Sequence, residues 1–310
     1  NSATIMQYLG ISPGWKPKDQ TPPLNDVSYK EEDTYHLFEY PHGTRHKAIT
    51  LETFKNMDID IVIASIPAHF GPFQRLIDQF KPKAKLICHF GNIIWNLADH
   101  PEIKNIMASI APQPVPDGVN SIFYHQEFDL ETYKYIPFKG NKIISSFINW
   151  LPNQFKEDYQ IYLDLQSALK DYEFYSHGAG CEDGPITKAE DIATTIQGSM
   201  FGFHMKTGGD GYGHVIHNWF AMGRPPLVKK SQYADKLAGQ LMEDQVTCLD
   251  FDGKTLEEQI RLIKLFSDPD NHYKLSLNAY IRFSEIVNFN EEEKQIRKFF
   301  NSFQLMRQPA

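Results

Sequence analysis

Short apolar runs alternate with amphipathic segments along most of the chain after residue 35. Apolar, β-rich runs predict buried strands at residues 60–65, 84–89 and 121–124. One-sided apolar spacing predicts helices at residues 71–79 and 101–110. Strand, helix and strand joined by short links indicate a parallel sheet covered by helices. Residues 1–35 are rich in proline, so we expect them to be irregular apart from a short strand at residues 5–11.

A second series of the same kind starts near residue 141. Its predicted strands are residues 142–148, 173–176, 200–204 and 226–228. Its predicted helices are residues 158–170, 188–197, 214–222, 256–266, 271–287 and 290–303. The pattern therefore predicts an α/β fold of two Rossmann-like, doubly wound domains that face a cleft, with ligands at the carboxyl ends of the strands.

The chain of 310 residues is long enough for two domains of ordinary size. We place the join near residues 136–140. The expected division is a first domain at residues 1–138, a second domain at residues 139–288, and a last helical segment at residues 289–310 that packs back on the first domain.

Composition and charge narrow the class of protein. The chain carries 31 Lys and Arg against 39 Asp and Glu, a net charge of −8. This acidic balance makes nucleic acid an unexpected partner, because phosphate backbones bind basic surfaces. Hydrophobic residues at 41% and charged residues at 23% are typical of globular domains and exclude a disordered or collagen-like chain.

Cysteine usage and the absence of any long apolar run bear on the compartment. Cys88, Cys181 and Cys248 are far apart in sequence, which favours a reducing, cytoplasmic compartment over a disulfide scaffold. No apolar run approaches the roughly 20 residues that span a bilayer, and the first residues lack the pattern of a signal peptide. We expect no transmembrane segment, and peripheral membrane contact stays open.

The most specific motif lies in residues 203–225, where a predicted strand passes into a helix through a glycine-rich turn. Four glycines fall within six residues: Gly208, Gly209, Gly211 and Gly213. Glycines before a helix let the backbone approach a ligand, and the N–H groups and helix dipole favour an anion, above all phosphate. Lys206 adds a positive charge. A plain strand-to-helix turn needs one or two glycines, so this composition favours a ligand-binding loop.

This motif resembles the nucleotide-sugar motif of GT-B fold glycosyltransferases, particularly the retaining glycosyltransferase family four and its relatives. That family carries Glu-Gly-Phe-Gly, four intervening residues, a second Glu and then Ala-x-Gly-x-Pro. Here Asp210-Gly211-Tyr212-Gly213 takes the first block, Asn218 stands at the second Glu, and Ala221-x-Gly223-x-Pro225 matches the close. The likeness extends in part over residues 140–266 and is only topological over residues 36–138.

The resemblance implies an enzyme that moves a sugar from a nucleoside diphosphate sugar, such as a UDP- or GDP-sugar, to a hydroxyl of a carbohydrate or other acceptor. It implies retention of anomeric configuration, with no metal and no further cofactor. The donor would bind mainly to the second domain and the acceptor mainly to the first.

The resemblance also implies roles for individual residues. Asp210 would contact the donor sugar, Gly211 to His214 would hold the diphosphate, and Asn218 would bind the ribose. The family usually has an Arg and a Lys after the first strand of its second domain, whereas residues 146–154 contain no basic residue. We therefore expect Lys206 to supply the missing charge, helped by Arg224.

Histidines complete the predicted site. His89 ends a predicted strand where the family often has a histidine that faces the cleft, and His69 follows the strand before it. His177 and Gly178 form a turn near the expected nucleotide, with residues 185–187 facing the base. The expected catalytic residues are His89, Lys206 and Asp210. The expected substrate-binding residues are His69, Asn92, His177, Gly178, Thr187, Thr207, Gly208, Gly209, Gly211, Tyr212, Gly213, His214 and Asn218. The alternative is that the histidines are buried structural residues and the glycine turns are ordinary ones.

Other interpretations stay open at this stage. His204, His214 and His217 lie close in sequence but match no usual zinc pattern, so we predict no metal site. Asp58 and Asp60 form an Asp-x-Asp that leads into a buried strand, which favours a structural role. The alternative functions are an inverting transferase, a nucleotide-sugar epimerase, a transferase acting on modified DNA bases, and a non-catalytic nucleotide-sugar-binding protein.

Overall fold

The computed structural model describes residues 28–31, 35–39, 45–65, 67–91, 97–110 and 115–304, and the structural statements below concern those residues. A small antiparallel sheet comes first, with the strands β1 (Ser28–Glu31), β2 (Tyr35–Glu39) and β3 (Arg45–Ile49) in that order. Helix α1 (Leu51–Asn56) follows. The expectation of irregular structure up to residue 35 is wrong at β1, because four residues are too few to show a strand's alternation. The strand expected at residues 5–11 lies outside the described residues.

Four parallel strands form the first of two larger sheets. They are β4 (Ile61–Ala64), β5 (Lys85–Phe90), β6 (Asn105–Ala108) and β7 (Asn120–Phe123), each paired with the next. Helix α2 (Pro67–Phe80) links β4 to β5 and packs on both. The helix expected at residues 101–110 is wrong, because this stretch contains β6. Ile106 and Met107 are buried on opposite faces, and a strand buried on both faces lacks the alternation that separates it from a helix.

Five parallel strands form the second sheet, in the spatial order β12-β11-β10-β8-β9. The strands are β8 (Ile143–Phe147), β9 (Glu173–His177), β10 (Phe201–Phe203), β11 (Pro226–Val228) and β12 (Leu249–Asp250). The helices are α3 (Leu151–Gln154), α4 (Lys156–Ala168), α5 (Ala189–Gly198), α6 (His214–Ala221), α7 (Leu256–Phe266) and α8 (Pro269–Ile286). β8 and β10 lie side by side, but β9 is added on one side of this pair and β11 and β12 on the other. The loops after β8 and β10 therefore diverge and open a crevice at the carboxyl ends of the strands.

The last helix, α9 (Phe289–Gln304), packs on the first sheet although it follows the second in sequence. Its buried Phe299 contacts an apolar cluster formed by Ile87, Met107 and Ile122. These residues lie on the face opposite to the one that α2 covers. Helices therefore cover both faces of the first sheet, as a parallel sheet requires.

The fold class predicted from the sequence is confirmed: the chain is an α/β protein built on two parallel sheets. The residue boundaries of its domains stay a prediction. Helices in the described part of the chain are all too short or too polar to cross a bilayer.

Candidate functional site

The loop between β10 and α6, residues 204–213, is called the glycine loop below. Gly208, Gly209 and Gly213 have φ angles of 84°, 68° and 79°, which few residues other than glycine adopt. A Cβ atom on Gly209 would lie 2.2 Å from Lys236 Nζ and 2.4 Å from the Gln232 carbonyl oxygen. Backbone conformation and close packing therefore both require glycines here.

Asp210 is the centre of a charged cluster in the glycine loop. One carboxylate oxygen lies 2.5 Å from His204 Nε2, and the other accepts a hydrogen bond from Lys206 Nζ. Burial alone would raise the pKa of Asp210, but His204 and Lys206 outweigh burial and hold that pKa well below its usual range. Asp210 is therefore an anion, and a carboxylate with two bonded oxygens still has lone pairs for further hydrogen bonds.

Buried polar groups anchor the beginning of the glycine loop. Thr207 donates from its main-chain N–H at 2.6 Å and from its hydroxyl at 2.7 Å to Asp158, a fully buried carboxylate of α4. Lys229 Nζ lies 2.7 Å from the other oxygen of that carboxylate. Gln232 Oε1 accepts from the Lys206 N–H at 3.0 Å. The main-chain N–H and the hydroxyl of Thr207 are therefore both engaged in holding the loop.

Helix α6 begins where the glycine loop ends. Gly213 is its N-cap residue, and no described side chain caps the helix there. His217 Nδ1 donates to the Gly213 carbonyl at 2.9 Å, and the Tyr212 ring stacks on the His217 ring with centroids 4.1 Å apart. The N–H groups of the first turn are therefore held in place beside Asp210, in the arrangement that binds anions.

Two adjoining cavities open at the crevice. The smaller has a volume of about 260 Å³ and the larger about 450 Å³. The side chains that border both are Phe147, Asn149, His214 and Val215. The smaller cavity is also lined by Gln126, Ile148, His204, Lys206, Asp210, Gly211, Tyr212 and Gly213. The larger is also lined by Phe128, Asp129, Tyr133, His177, Gly178, Pro185, Ile186, Ala189, Ile192 and Asn218. The charged cluster thus lies in the smaller cavity, and the larger one is mainly apolar.

The walls of the larger cavity suit a planar ring. Phe147 and His177 stack with centroids 5.3 Å apart. A Cβ atom on Gly178 would lie 2.8 Å from the Ile148 carbonyl oxygen, so glycine lets the ends of β8 and β9 approach each other. Asn218 Oδ1 is buried without a hydrogen-bond partner among the described residues. Apolar walls with one or two convergent polar atoms are typical of small-molecule sites.

The two histidines expected to face the cleft from the first sheet border neither cavity. His89 lies in β5, and its Nε2 is 2.9 Å from the Tyr124 hydroxyl oxygen. Burial lowers the pKa of His89. His69 lies in α2 and stacks on Phe73 with centroids 5.5 Å apart. Asn92 lies outside the described residues, so its predicted role rests on the sequence.

Arg224 points away from both cavities, so the expectation that it assists Lys206 is wrong. Its side chain is 1% exposed, and its guanidinium donates to the carbonyl oxygens of Gln197, Met222 and Gly223. The Met222 and Gly223 carbonyls lie at the end of α6 that is remote from the glycine loop, and the Gln197 carbonyl lies in the last turn of α5. Unpaired carbonyls at helix ends attract cations. Thr187 is exposed beside Ile186, and only the latter of the two borders the larger cavity.

Three further residues of the site were not predicted from the sequence. Asn149 borders both cavities, and its Oδ1 accepts from the Ala179 N–H at 2.9 Å. Gln126 borders the smaller cavity and donates to Ser109 Oγ at 2.6 Å. Both follow strand ends, which is the signal that could have found them. Lys236 contacts the glycine loop from a distant part of the chain, and no local pattern marks it.

Histidine is a common metal ligand, and three histidines lie in or near the glycine loop. Within the described ranges, no three His, Cys, Asp or Glu side chains are grouped to hold a metal ion. His204 is instead bonded to Asp210, and His217 to the Gly213 carbonyl. These contacts serve the loop itself.

Comparison with solved structures identifies several that share this architecture. HepE from Anabaena, crystallised with UDP and glucose, superposes with a TM-score of 0.62 at 13% identity, covering 81% of this chain and 80% of HepE. Sucrose-phosphate synthase from Thermosynechococcus elongatus gives 0.62 at 10% identity, covering 91% and 87%. A glycosyltransferase from Rickettsia africae gives 0.61 at 13% identity, covering 84% and 80%. No protein-family model matches the sequence, and no curated protein matches it.

Identities of 10–13% show the fold and no more. The similar structures are GT-B glycosyltransferases, and each of the three covers more than four fifths of this chain. Membership of family four stays a prediction. The fold expected from the motif is confirmed, and the chain has the GT-B fold.

Proposed function

We propose that this protein is a glycosyltransferase that uses a nucleoside diphosphate sugar as donor. The observation that carries the proposal is the cluster of Asp210, Lys206 and His204 at the start of α6, in a cavity that adjoins a mainly apolar one. An anion-binding loop beside a slot for a planar ring matches the two halves of a nucleotide. The complexes of HepE with UDP-glucose, and of the pneumococcal O-GlcNAc transferase GtfA with UDP and GlcNAc, support the same donor class.

The donor would occupy both cavities. Its nucleoside would lie in the larger one, beside His177 and Gly178, with a ribose hydroxyl donating to Asn218 Oδ1. Its diphosphate would lie against Gly211 to His214, where main-chain N–H groups and the start of α6 favour negative charge. Its sugar would lie beside Asp210 in the smaller cavity.

The chemistry requires stabilisation of the leaving diphosphate. As the bond from the anomeric carbon to the phosphate oxygen breaks, its electron pair goes to the diphosphate. The acceptor hydroxyl forms the new bond to the anomeric carbon and passes its proton to the departing phosphate oxygen. Lys206 and the loop N–H groups would neutralise the developing charge. Asp210, held as an anion, would accept hydrogen bonds from sugar hydroxyls and hold the anomeric carbon in place. We propose that this proceeds with retention and without a metal.

The acceptor would bind on the side of the first sheet. Gln126 reaches the smaller cavity from the segment after β7, and His89 lies in β5 of the same sheet. This fits a first domain at residues 1–138 for the acceptor and a second at residues 139–288 for the donor. All three cysteines are free thiols, which fits the proposed reducing compartment.

A binding and turnover screen tests the proposal. UDP, GDP and ADP would be scored by the rise in melting temperature, since a ligand that binds the native state stabilises it. The corresponding sugar donors would be scored by release of nucleoside diphosphate. Lys206→Ala should remove most turnover, whereas Lys274→Ala, an exposed lysine of α8, should not. Tight binding without hydrolysis or transfer would favour a non-catalytic nucleotide-sugar-binding protein.

A further inference from the structure

Lys236 is a buried lysine whose ammonium group packs against the glycine loop. The residue is 7% exposed and is the N-cap of the short 3₁₀ helix Leu237–Leu241. Its Nζ donates to the Gly208 carbonyl oxygen at 2.8 Å and lies 5.7 Å from the centre of the Tyr233 ring. Burial of an ammonium group is unfavourable unless polar groups compensate the lost hydration. The hydrogen bond to the Gly208 carbonyl therefore stabilises the buried lysine as well as the glycine loop.

The carbonyl that Lys236 binds belongs to a closed turn. The Gly209 N–H donates to the Lys206 carbonyl at 2.6 Å, and Gly208 and Gly209 both have positive φ angles. The peptide group between these glycines is therefore held at both ends, by Lys236 at its oxygen and by Lys206 at its N–H. Lys206 begins this turn and Asp210 follows it directly. A shift of this one peptide group would move the two charged side chains apart.

Two further observations show that Lys236 packs closely against the rest of the protein. The 2.2 Å approach that a Cβ atom on Gly209 would make to Lys236 Nζ means that the ammonium group lies directly against the backbone. The next residue, Leu237, donates its N–H to the Ile110 carbonyl at 2.9 Å, which follows β6 of the first sheet. The segment that carries Lys236 thus contacts both the glycine loop and the first sheet.

We propose that Lys236 is a positioning residue for sugar transfer, which holds the Gly208–Gly209 peptide group and thereby fixes Lys206 and Asp210 beside the donor. The inference rests on the proposed function of that charged pair. Lys236 borders neither cavity, so it acts through the loop and not on the substrate. No local sequence pattern predicts this contact, because it forms when the segment after β11 packs against the glycine loop.

The test uses the full chain with the variants Lys236→Met and Lys236→Arg. Lys254→Met is the matched control, because Lys254 is a partly buried lysine whose ammonium group is paired at 3.3 Å with Asp244 in another loop. Two readouts are needed: kcat and KM for donor turnover, and amide hydrogen exchange of residues 204–213. Lys236→Met should lower kcat by about 10- to 100-fold with little change in KM, because small misplacements of reacting groups have effects of this size.

The same variant should speed exchange in the glycine loop, Lys236→Arg should recover part of kcat, and the control should change neither readout. Unchanged kcat or unchanged loop exchange in Lys236→Met would overturn the proposal. If that variant does not fold, Lys236→Ala, which likewise has no side-chain donor for the Gly208 carbonyl, carries the same expectations. A wild-type chain that turns over no nucleoside diphosphate sugar contradicts the proposed function instead, and loop exchange then still decides whether Lys236 holds the turn.

Discussion

His217 donates a hydrogen bond from Nδ1 to the Gly213 carbonyl oxygen, 2.9 Å away, and so ties α6 to the end of the glycine loop. The His217 side chain is fully buried, and burial lowers its pKa to about 3. The unfolded chain binds a proton at this residue near pH 6.5, whereas the folded chain does so only near pH 3. The free energy of unfolding therefore falls as the pH decreases between these two values.

We expect His217→Asn to flatten this acid dependence. The asparagine amide can still donate to Gly213 but does not titrate, so the slope should become shallower by about 1 kcal/mol per pH unit between pH 6 and pH 4. Urea unfolding across this range measures the slope. Some slope will remain, because burial also lowers the pKa of His89 and His272. An identical slope in the variant would refute the assignment, and His100→Asn, on a partly exposed ring, is the control.

Asp210→Asn tests the charged cluster itself. The amide retains the shape of the side chain but loses the negative charge that His204 and Lys206 share. We expect kcat for the donor to fall by about 100-fold or more, as when one preorganised electrostatic contact is removed, with a much smaller change in affinity for the free nucleoside diphosphate. Steady-state kinetics and titration calorimetry measure the two effects. Asp171→Asn, at an exposed pair with Lys142, should leave both unchanged, and a wild-type kcat in Asp210→Asn would exclude a catalytic role.

Arg224→Met should affect stability and not donor binding. Removing the guanidinium leaves the carbonyl oxygens of Gln197, at the end of α5, and of Met222, at the end of α6, without this donor, which should lower the free energy of unfolding by about 2–4 kcal/mol. The dissociation constant for nucleoside diphosphate should stay that of the wild type, measured by calorimetry on the folded variant. Arg297→Met, on the exposed surface of α9, is the control for loss of a charge. Weaker nucleotide binding in Arg224→Met would restore the role that the sequence suggested.

Gln245 is an exposed residue with a left-handed backbone, φ 60°, in the segment before β12. Side chains other than glycine are strained there, so Gln245→Gly should stabilise the protein by about 0.5–1 kcal/mol. The matched control is Gln160→Gly within α4, which should destabilise it by about 1 kcal/mol, because glycine is unfavourable inside a helix. Thermal or urea unfolding compares the two, and equal destabilisation by both would contradict the inferred strain.

Local features of the site were predictable from the sequence, and its tertiary contacts were not. A positive φ angle strongly favours glycine, so Gly209 and Gly213 are recognisable in the sequence. For this reason the sequence locates the glycine loop and α6 correctly. The sequence predicts a helix where β6 lies, because both faces of this strand are buried and it lacks a strand's alternation of apolar and polar residues. The positions of Arg224 and Lys236 could not be predicted from the sequence. The Arg224 side chain faces away from the cavities, whereas Lys236 donates to the glycine loop, and packing between distant segments determines both orientations.

A crystal structure of the chain with UDP or with a donor analogue bound tests the proposed donor site. We expect the diphosphate within hydrogen-bond distance of the main-chain N–H groups of Gly211 to His214 and of Lys206 Nζ, with the base in the larger cavity between Phe147 and Ile186. A nucleotide bound at saturating concentration elsewhere on the chain, with the glycine loop empty, would contradict it.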